Sequence, residues 1–163
     1  MSFGSIPDAV RPCWDAYLAS LPAERARAAA ARFYEAFHFD DNEPSCSELA
    51  ALVLSGHKRA TTGLYWMLEA QHKPLPRAGD LNVVTGWDGA PLCVIETSAV
   101  DVLPFEQVSA AFAAREGEGD GSLDYWRRVH WDFFGRECRR IGRAPDPRML
   151  SVCEQFSVVY VPR

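Results

Sequence analysis

The sequence has no long apolar run and no basic-then-apolar start, so it offers neither a membrane span nor a secretory signal. We therefore expect a cytoplasmic protein that does not contact a membrane. Its five cysteines stand at wide, unequal intervals, without a CxxC pair or a cysteine–histidine spacing typical of zinc sites. We predict reduced thiols that are mostly buried, with no metal and no other cofactor.

Positive charge is also in short supply. The 163 residues contain 17 lysines and arginines against 22 aspartates and glutamates, a formal net charge of −5. Nonspecific wrapping of long nucleic acid depends on a broad cationic surface, so this balance argues against it. A small basic cleft for one nucleotide or a short single strand is still compatible with that charge.

What remains is an ordinary globular composition, 48% hydrophobic, in a length that suits one compact unit. The segments "VRPCWDAYLASL" and "PAERARAAAARFYEAFHF" favour helix, which predicts a helical extension over residues 1–44, packed on a domain over 45–163. "DDNEPS" is typical of a loop. Ser45 and Glu48 have capping-box spacing before the next helix, and Gly56 fits the left-handed position that ends it.

The hydrophobic period changes after residue 79. "DLNVVTGW" and "APLCVIETSAVDVLPF" read as two strands joined at Asp88-Gly89, a strong hairpin signal. A helix that ends at Gly117, a long amphipathic helix capped by Ser122 and a last strand, "LSVCEQFSVVYV", follow. Helices around a sheet with an antiparallel hairpin predict the α+β class, and such small curled sheets often close into partial barrels.

The stretch "SGHKRATTG" is the first candidate for chemistry. Lys58 and Thr61 are three residues apart, so one helical turn would place both on one side. A lysine whose pKa is lowered by burial can serve as base for a nucleophilic hydroxyl. The alternative is a solvated Lys-Arg pair just past a helix C-terminus, where cations are favoured.

Two other places hold candidate carboxylates. In "AAREGEGDGSLDYWR" four of them crowd a glycine-rich loop: Glu116, Glu118, Asp120 and Asp124. Such crowding raises carboxyl pKa values and suits general acid or base catalysis, and the alternative is a flexible acidic loop. Glu96 stands on a strand that is apolar on both faces, so it needs a cationic partner, which can be purely structural.

At this point the residues resemble a known family. "GHKRATTG" fits the G-x-K-x-x-T signature of the ASCH domain, and the blocks that follow it stand in that family's order from about residue 48 to the C-terminus. The resemblance implies a PUA-like fold, a partly closed mixed β-barrel flanked by helices, here with an N-terminal helical extension. It also implies a cleft associated with RNA or modified nucleosides.

Small bacterial members of that family are amidohydrolases of N4-acetylcytidine that use a lysine, a threonine and a glutamate. By motif these match Lys58, Thr61 and Glu116, the last closing an A-x-x-E stretch. Some longer members are described as metal-independent ribonucleases that depend on the same lysine. The chain departs from the amidohydrolases at Gly63, where they carry arginine, which puts the acylcytidine substrate in question more than the cleft.

The resemblance therefore implies a hydrolase, ribonuclease or amidohydrolase, acting on RNA or an RNA-derived nucleoside. The alternative is a non-catalytic module that binds RNA, a nucleotide or a modified nucleoside. Either form is expected as a monomer or homodimer. The residues assigned to substrate binding are Arg59, Thr62, Tyr65, Trp66, Glu96, Ser122 and Trp126.

Overall fold

The computed structural model describes residues 4–163, in which six α-helices and a short 3-10 helix surround one five-stranded sheet. The helices are α1 Arg11–Ala19, α2 Ala23–Ala30, α3 Glu43–Leu54, α4 Tyr65–Ala70, α5 Ala110–Glu116 and α6 Leu123–Arg140. The strands are β1 Phe33–Phe37, β2 Ala60–Leu64, β3 Leu81–Thr85, β4 Pro91–Pro104 and β5 Leu150–Tyr160. None of the helices within this range is long and apolar enough to span a bilayer.

The strands follow the order β1-β3-β4-β5-β2. β1 runs parallel to β3, and the other neighbours are antiparallel, so the predicted hairpin through Asp88-Gly89 is confirmed. Within residues 4–163 the edge strands β1 and β2 do not pair, and the sheet stays open. The predicted α+β class and partly closed, PUA-like barrel are therefore confirmed.

The sheet curls because its longest strand is irregular. β4 pairs with β3 near its start and with β5 along most of its length, and its register with β5 shifts between Val94 and Ile95 and again between Thr97 and Ala99. Such irregularities increase strand twist and bend the sheet. Residues from all five strands consequently line one cleft on the concave face.

The helices α1 and α2 cover the opposite side of the sheet, where Trp14 and Tyr17 pack with Phe33, Leu81 and Val83. The helical prediction is correct for these two elements and wrong for residues 33–37, which form β1. Three of those five residues are aromatic, a composition that favours strands, and pairing with β3 outweighs the alanine-rich run before them.

The start of α3 also differs from the prediction. Asn42, rather than Ser45, caps this helix by accepting a hydrogen bond from the Ser45 N–H, so the last part of the expected "DDNEPS" loop is helical. Gly56 follows the helix with φ of +86°, as predicted. All five cysteines are buried and unpaired, which confirms that expectation.

Candidate active site

Lys58 is fully buried, with 0% of its surface exposed. Its ammonium Nζ donates to Glu116 Oε2 at 2.9 Å and to Glu118 Oε1 at 2.7 Å. The residues after Lys58 form β2 rather than the helical turn considered from the spacing. Thr62 on this strand contacts Glu116, as Lys58 does, and because side chains alternate along a strand its neighbour Thr61 faces the other side.

The C-terminus of α5 brings the two carboxylates to Lys58. The Arg59 N–H donates to the Arg115 carbonyl at 3.0 Å, which ties the start of β2 to the end of this helix. Gly117 then turns the chain with φ of +66°, and a Cβ atom there would lie 2.6 Å from the His57 carbonyl oxygen. Glycine is therefore required for Glu116 and Glu118 to flank the same ammonium.

Glu116 is the centre of a buried hydrogen-bond network. Its Oε1 accepts from the Thr62 hydroxyl and from the Trp126 Nε1–H, the latter at 2.8 Å. His130 Nε2 lies 3.5 Å from the same oxygen, and its ring stacks on that of Trp126 with centroids 4.2 Å apart. His130 was not predicted as a site residue, although its position four residues after Trp126 on α6 places both on one helix face.

The charges of the network are fixed by mutual pairing. Burial alone would lower the pKa of Lys58, but Glu116 and Glu118 together raise it. Burial would likewise raise the pKa of Glu116, but Lys58 and His130 hold it well below its usual range. The two carboxylates stabilise the ammonium form of Lys58, so its pKa is raised and not lowered, and the suggestion that burial makes this lysine a base is wrong.

Glu118 and His130 differ from the central pair. Burial, reinforced by Glu116, raises the pKa of Glu118 despite the opposing effect of Lys58. Burial lowers the pKa of His130, but Glu116 outweighs it and the net pKa is raised. Only 14% of the Glu118 side chain is exposed, against 1% for Glu116. Glu118 is thus the carboxyl group of the network best suited to exchange protons with a bound molecule.

A metal ion is an alternative use for part of this network. Ligand atoms of Glu116, Glu118 and His130 lie within 4.8 Å of one another. The Lys58 ammonium, however, already donates to both carboxylates. A divalent cation would compete with that buried ammonium for the same oxygens, so the set favours a lysine-based site over a metal-based one.

Two connected hollows adjoin the network. The small chamber has a volume of about 80 Å³ and is lined by Phe39, Asp40, Leu49, Thr61, Thr62, Glu116, Glu118, Val129, His130 and Phe133. The main cleft, of about 240 Å³, shares Phe39, Asp40, Thr61, Thr62 and Phe133 with it and extends over the concave face of the sheet. Thr61 lies at their junction, and its hydroxyl has no protein hydrogen-bond partner among residues 4–163. This hydroxyl is available to a ligand.

Glu154 is a second acidic group of the main cleft and was not predicted. It lies directly opposite Thr61 in the β2–β5 pairing and accepts a hydrogen bond from the Thr97 hydroxyl at 3.1 Å. Burial raises its pKa to about 7, with Glu35 and Asp80 adding to the rise against the Thr97 hydrogen bond. The signal in the sequence was a single glutamate in the apolar strand "LSVCEQFSVVYV".

The residues assigned to substrate binding have varied positions. Trp126 and Thr62 belong to the Glu116 network. Arg59 donates to the carbonyls of Val53 and Lys58, and Ser122 caps α6, so both hold the backbone in place.

The other three residues assigned to substrate binding, Tyr65, Trp66 and Glu96, line neither hollow. Trp66 packs under the Arg143 guanidinium at 4.4 Å, and its neighbour Tyr65 begins α4. Glu96 follows Ile95 on β4 and therefore faces away from the cleft that Ile95 lines. It is half-buried beside Arg32 at 3.4 Å, which matches the structural pairing considered from the sequence.

Carboxylates line both hollows, and all of them except Glu154 are paired with cations that lie outside the lining, on Lys58, Lys73, Arg136 and Arg140. The main cleft presents Glu35, Asp40, Glu137 and Glu154, and the small chamber adds Glu116 and Glu118. Among the described residues that line either hollow there is no lysine or arginine. The small basic cleft that the net charge allowed is therefore absent from this region.

The comparisons with known proteins agree with the fold. A family model described as the ASCH domain matches residues 35–160. The chain is 37% identical to an ASCH domain from Lactobacillus crispatus JV V101, covering 98% of this chain and 99% of that one, with a TM-score of 0.89. It is 33% identical to protein EF3133 from Enterococcus faecalis V583, over 78% and 77% of the two chains, with a TM-score of 0.73. A search of curated proteins found no match.

Proposed function

The chain belongs to the ASCH domain family, which is linked to RNA-related functions, and we propose that it is a hydrolase of an N-acylated nucleoside derived from RNA. The observation that carries this proposal is the buried Lys58–Glu116–Glu118 network at the wall of a chamber that also presents the free Thr61 hydroxyl. Burying charged groups has a large desolvation cost, and groups with strongly shifted pKa values cluster at functional sites.

The charge of the cleft favours a nucleoside over an RNA strand. A phosphodiester is an anion and is usually bound by arginine, lysine or several backbone N–H groups. The lining side chains supply carboxylates and no cation, and the Lys58 ammonium is sealed behind Glu116 and Glu118. A neutral acylated base needs no cationic partner, so amide hydrolysis suits the site better than ribonuclease chemistry.

The side chains have distinct roles in the proposed reaction. The Thr61 oxygen attacks the acyl carbon while Glu118, whose pKa is raised, takes the hydroxyl proton. Glu118 then passes that proton to the exocyclic nitrogen as the carbon–nitrogen bond breaks, leaving the acyl group on Thr61. Water, deprotonated by the same carboxylate, attacks the ester carbon; the bond to the Thr61 oxygen breaks, Glu118 returns the proton to that oxygen, and the carboxylic acid is released. Lys58 keeps Glu118 in position and balances its charge, and Glu116 holds the Lys58 ammonium from the other side.

The test is to incubate the purified protein with N4-acetylcytidine and, separately, with short single-stranded RNA, and to follow the products by chromatography. We expect cytidine and acetate from the first substrate and intact RNA from the second. Thr61→Val and Glu118→Gln should each lower kcat by about 100-fold or more. Glu106→Gln, which changes an exposed carboxylate on the 3-10 helix, is the matched control and should retain full activity.

A wild-type protein that is inert on both substrates would remove the hydrolase proposal. RNA cleavage with acylcytidine left intact would reverse the substrate assignment. Lys58→Ala is less informative alone, because loss of the ammonium leaves two buried carboxylates without a partner and affects folding.

A second candidate function is nucleoside binding without turnover. It is favoured by the complete pairing of Lys58, whose three neighbours Glu116, Glu118 and Phe39 leave it no exposed surface. In that case cytidine derivatives bind in the main cleft and are not hydrolysed, and Thr61→Val changes only their affinity. Calorimetric titration with N4-acetylcytidine, followed by chromatography of the same sample, separates the two functions.

A further inference from the structure

Asn82 is a buried polar side chain that lines the main cleft. Only 4% of its surface is exposed, and its amide has no hydrogen-bond partner among residues 4–163. Within that range Ser151 Oγ is the one completely enclosed side-chain polar atom without a partner, so the Asn82 amide retains contact with the cleft. Because this amide has no protein partner and is reached from the cleft, a ligand there can form hydrogen bonds with it.

Glu154 lines the same concave face from β5. It is held by the Thr97 hydroxyl at 3.1 Å, and none of the ion pairs among the described residues includes it. Asn82 on β3 and Glu154 thus reach the cleft from two strands, with β4 between them. The surface around them is apolar, with contributions from Phe37, Ile95 and Phe156. A flat ring with a polar edge complements this combination.

We propose that Asn82 and Glu154 form a base-reading subsite that hydrogen-bonds the polar edge of a pyrimidine base. This inference rests on the proposed function, because the acyl group is then taken to point toward Thr61 and the small chamber. The edge left for reading on an N4-acylated cytosine carries two acceptors, O2 and N3. Asn82 donates through its amide N–H, and Glu154 donates when its carboxyl group is protonated.

The protonation of Glu154 follows from its surroundings. Burial raises its pKa to about 7, and the carboxylates of Glu35 and Asp80 add to this rise, while the Thr97 hydrogen bond from β4 opposes it. Lys73 is paired with Glu35 at 2.6 Å, and no ion pair among the described residues includes Glu154. Thr61 faces Glu154 from β2 without a charge. Cytidine binding is therefore strongest below pH 7 and weakens as pH rises and Glu154 ionises.

The experiment measures calorimetric binding of cytidine and of uridine, without turnover, between pH 5.5 and pH 8.5. Asn82→Leu and Glu154→Leu are expected to weaken cytidine binding by about 10-fold each at pH 6. Glu154→Gln supplies a permanent N–H donor, so it should keep cytidine affinity and remove the pH dependence. Gln155→Leu is the matched control, because Gln155 adjoins Glu154 on β5 and faces the other side of the sheet.

Affinity equal to wild type in both leucine variants would overturn the proposal, as would a wild-type protein that binds neither nucleoside. Identical pH profiles for wild type and Glu154→Gln would overturn the assigned role of Glu154. Thermal unfolding of each variant checks that the fold is retained. Failure of the hydrolase proposal is distinct: it would appear as cytidine binding that depends on Asn82 and Glu154 with no conversion of acetylcytidine.

Discussion

Lys58 is charged and buried, so the main effect of removing it on stability is that its carboxylate partners stay buried without a counter-ion. Glu116 and Glu118 both bind its ammonium, and Lys58 itself has no exposed surface. Lys58→Met is expected to lower the free energy of unfolding by about 3–5 kcal/mol, because two buried carboxylates lose their partner. Urea denaturation measures the change.

Lys73→Met is the matched control for this prediction, since Lys73 forms a partly exposed pair with Glu35 and should cost about 1 kcal/mol or less. Adding Glu118→Gln to Lys58→Met should recover part of the loss. Equal effects of the Lys58 and Lys73 substitutions would contradict the view of Lys58 as an essential counter-ion.

The raised pKa of Glu154 makes the stability of the fold depend on pH. Its pKa in the folded protein is about 7, above that of an unfolded glutamate at about 4.3, so the folded state binds the proton more tightly. The contribution of the Glu154 carboxyl group to the free energy of unfolding is complete below pH 4 and is lost as the pH rises to 7. Glu154→Gln should therefore exceed wild type in free energy of unfolding by about 1 kcal/mol near pH 5 and by about 3–4 kcal/mol at pH 8.

Urea denaturation of both proteins from pH 5 to pH 8 measures this difference, with Glu106→Gln as the exposed control. A constant gap between Glu154→Gln and wild type over the whole range would show that Glu154 titrates as in the unfolded chain.

The sequence predicted only part of the site. The resemblance to the ASCH domain, through the motif G-x-K-x-x-T and the stretch A-x-x-E, pointed to Lys58 and Glu116, which the fold brings together although they are 58 positions apart. The bond from Thr62 to Glu116, and the participation of His130 and Glu154, depend on strand alternation and on pairings between distant segments. No local pattern contains that information.

At the scale of elements, the junction between α5 and β2 decides whether the network forms. Gly117→Ala would place a methyl group 2.6 Å from the His57 carbonyl oxygen in addition to a strained positive φ. We expect it to destabilise the fold by about 2–4 kcal/mol and to lower turnover, because the end of α5 must move away from Lys58.

Gly121→Ala is the control for this substitution. Gly121 also has a positive φ, of +74°, but has open space around the position of a Cβ atom. It should cost only about 1–2 kcal/mol. Thermal and urea unfolding are measured for the two variants, with turnover in parallel. The difference between them separates the effect of the clash with His57 from the effect of the positive φ alone. Equal losses would mean that the contact with His57 is unimportant.

Elements with a local signal were predicted well, and those made by tertiary pairing were not. The β3–β4 hairpin, α6 and β5 follow from Asp88-Gly89, the Ser122 cap and an apolar run. β1 was assigned to a helix because the alanine-rich segment before it extends the helical pattern. Its actual partner, β3, lies more than forty residues further along the chain.

At the scale of the whole molecule, the described lining of the proposed binding site offers no free cation to a phosphate group. The net charge is −5, and six carboxylates face the two hollows without a lysine or arginine in the described lining. Cytidine should therefore bind at least about 10-fold more tightly than cytidine 5′-monophosphate at low ionic strength. Added salt should narrow that gap, because it screens repulsion between exposed charges.

The variant Glu35→Gln sharpens this prediction. It frees the Lys73 ammonium, now paired with Glu35 at 2.6 Å beside the main cleft, and so supplies a cation that the native wall lacks. Binding of the monophosphate should improve in this variant while binding of cytidine changes little, since only the phosphate gains a partner. Calorimetric titration at about 20 mM and about 300 mM salt, between which the Debye length shortens about fourfold, measures the binding of both ligands. The contrary outcome is that the wild-type protein binds the monophosphate more tightly than cytidine. A cationic surface outside the described hollows would then govern recognition, and a phosphodiester would be an acceptable ligand.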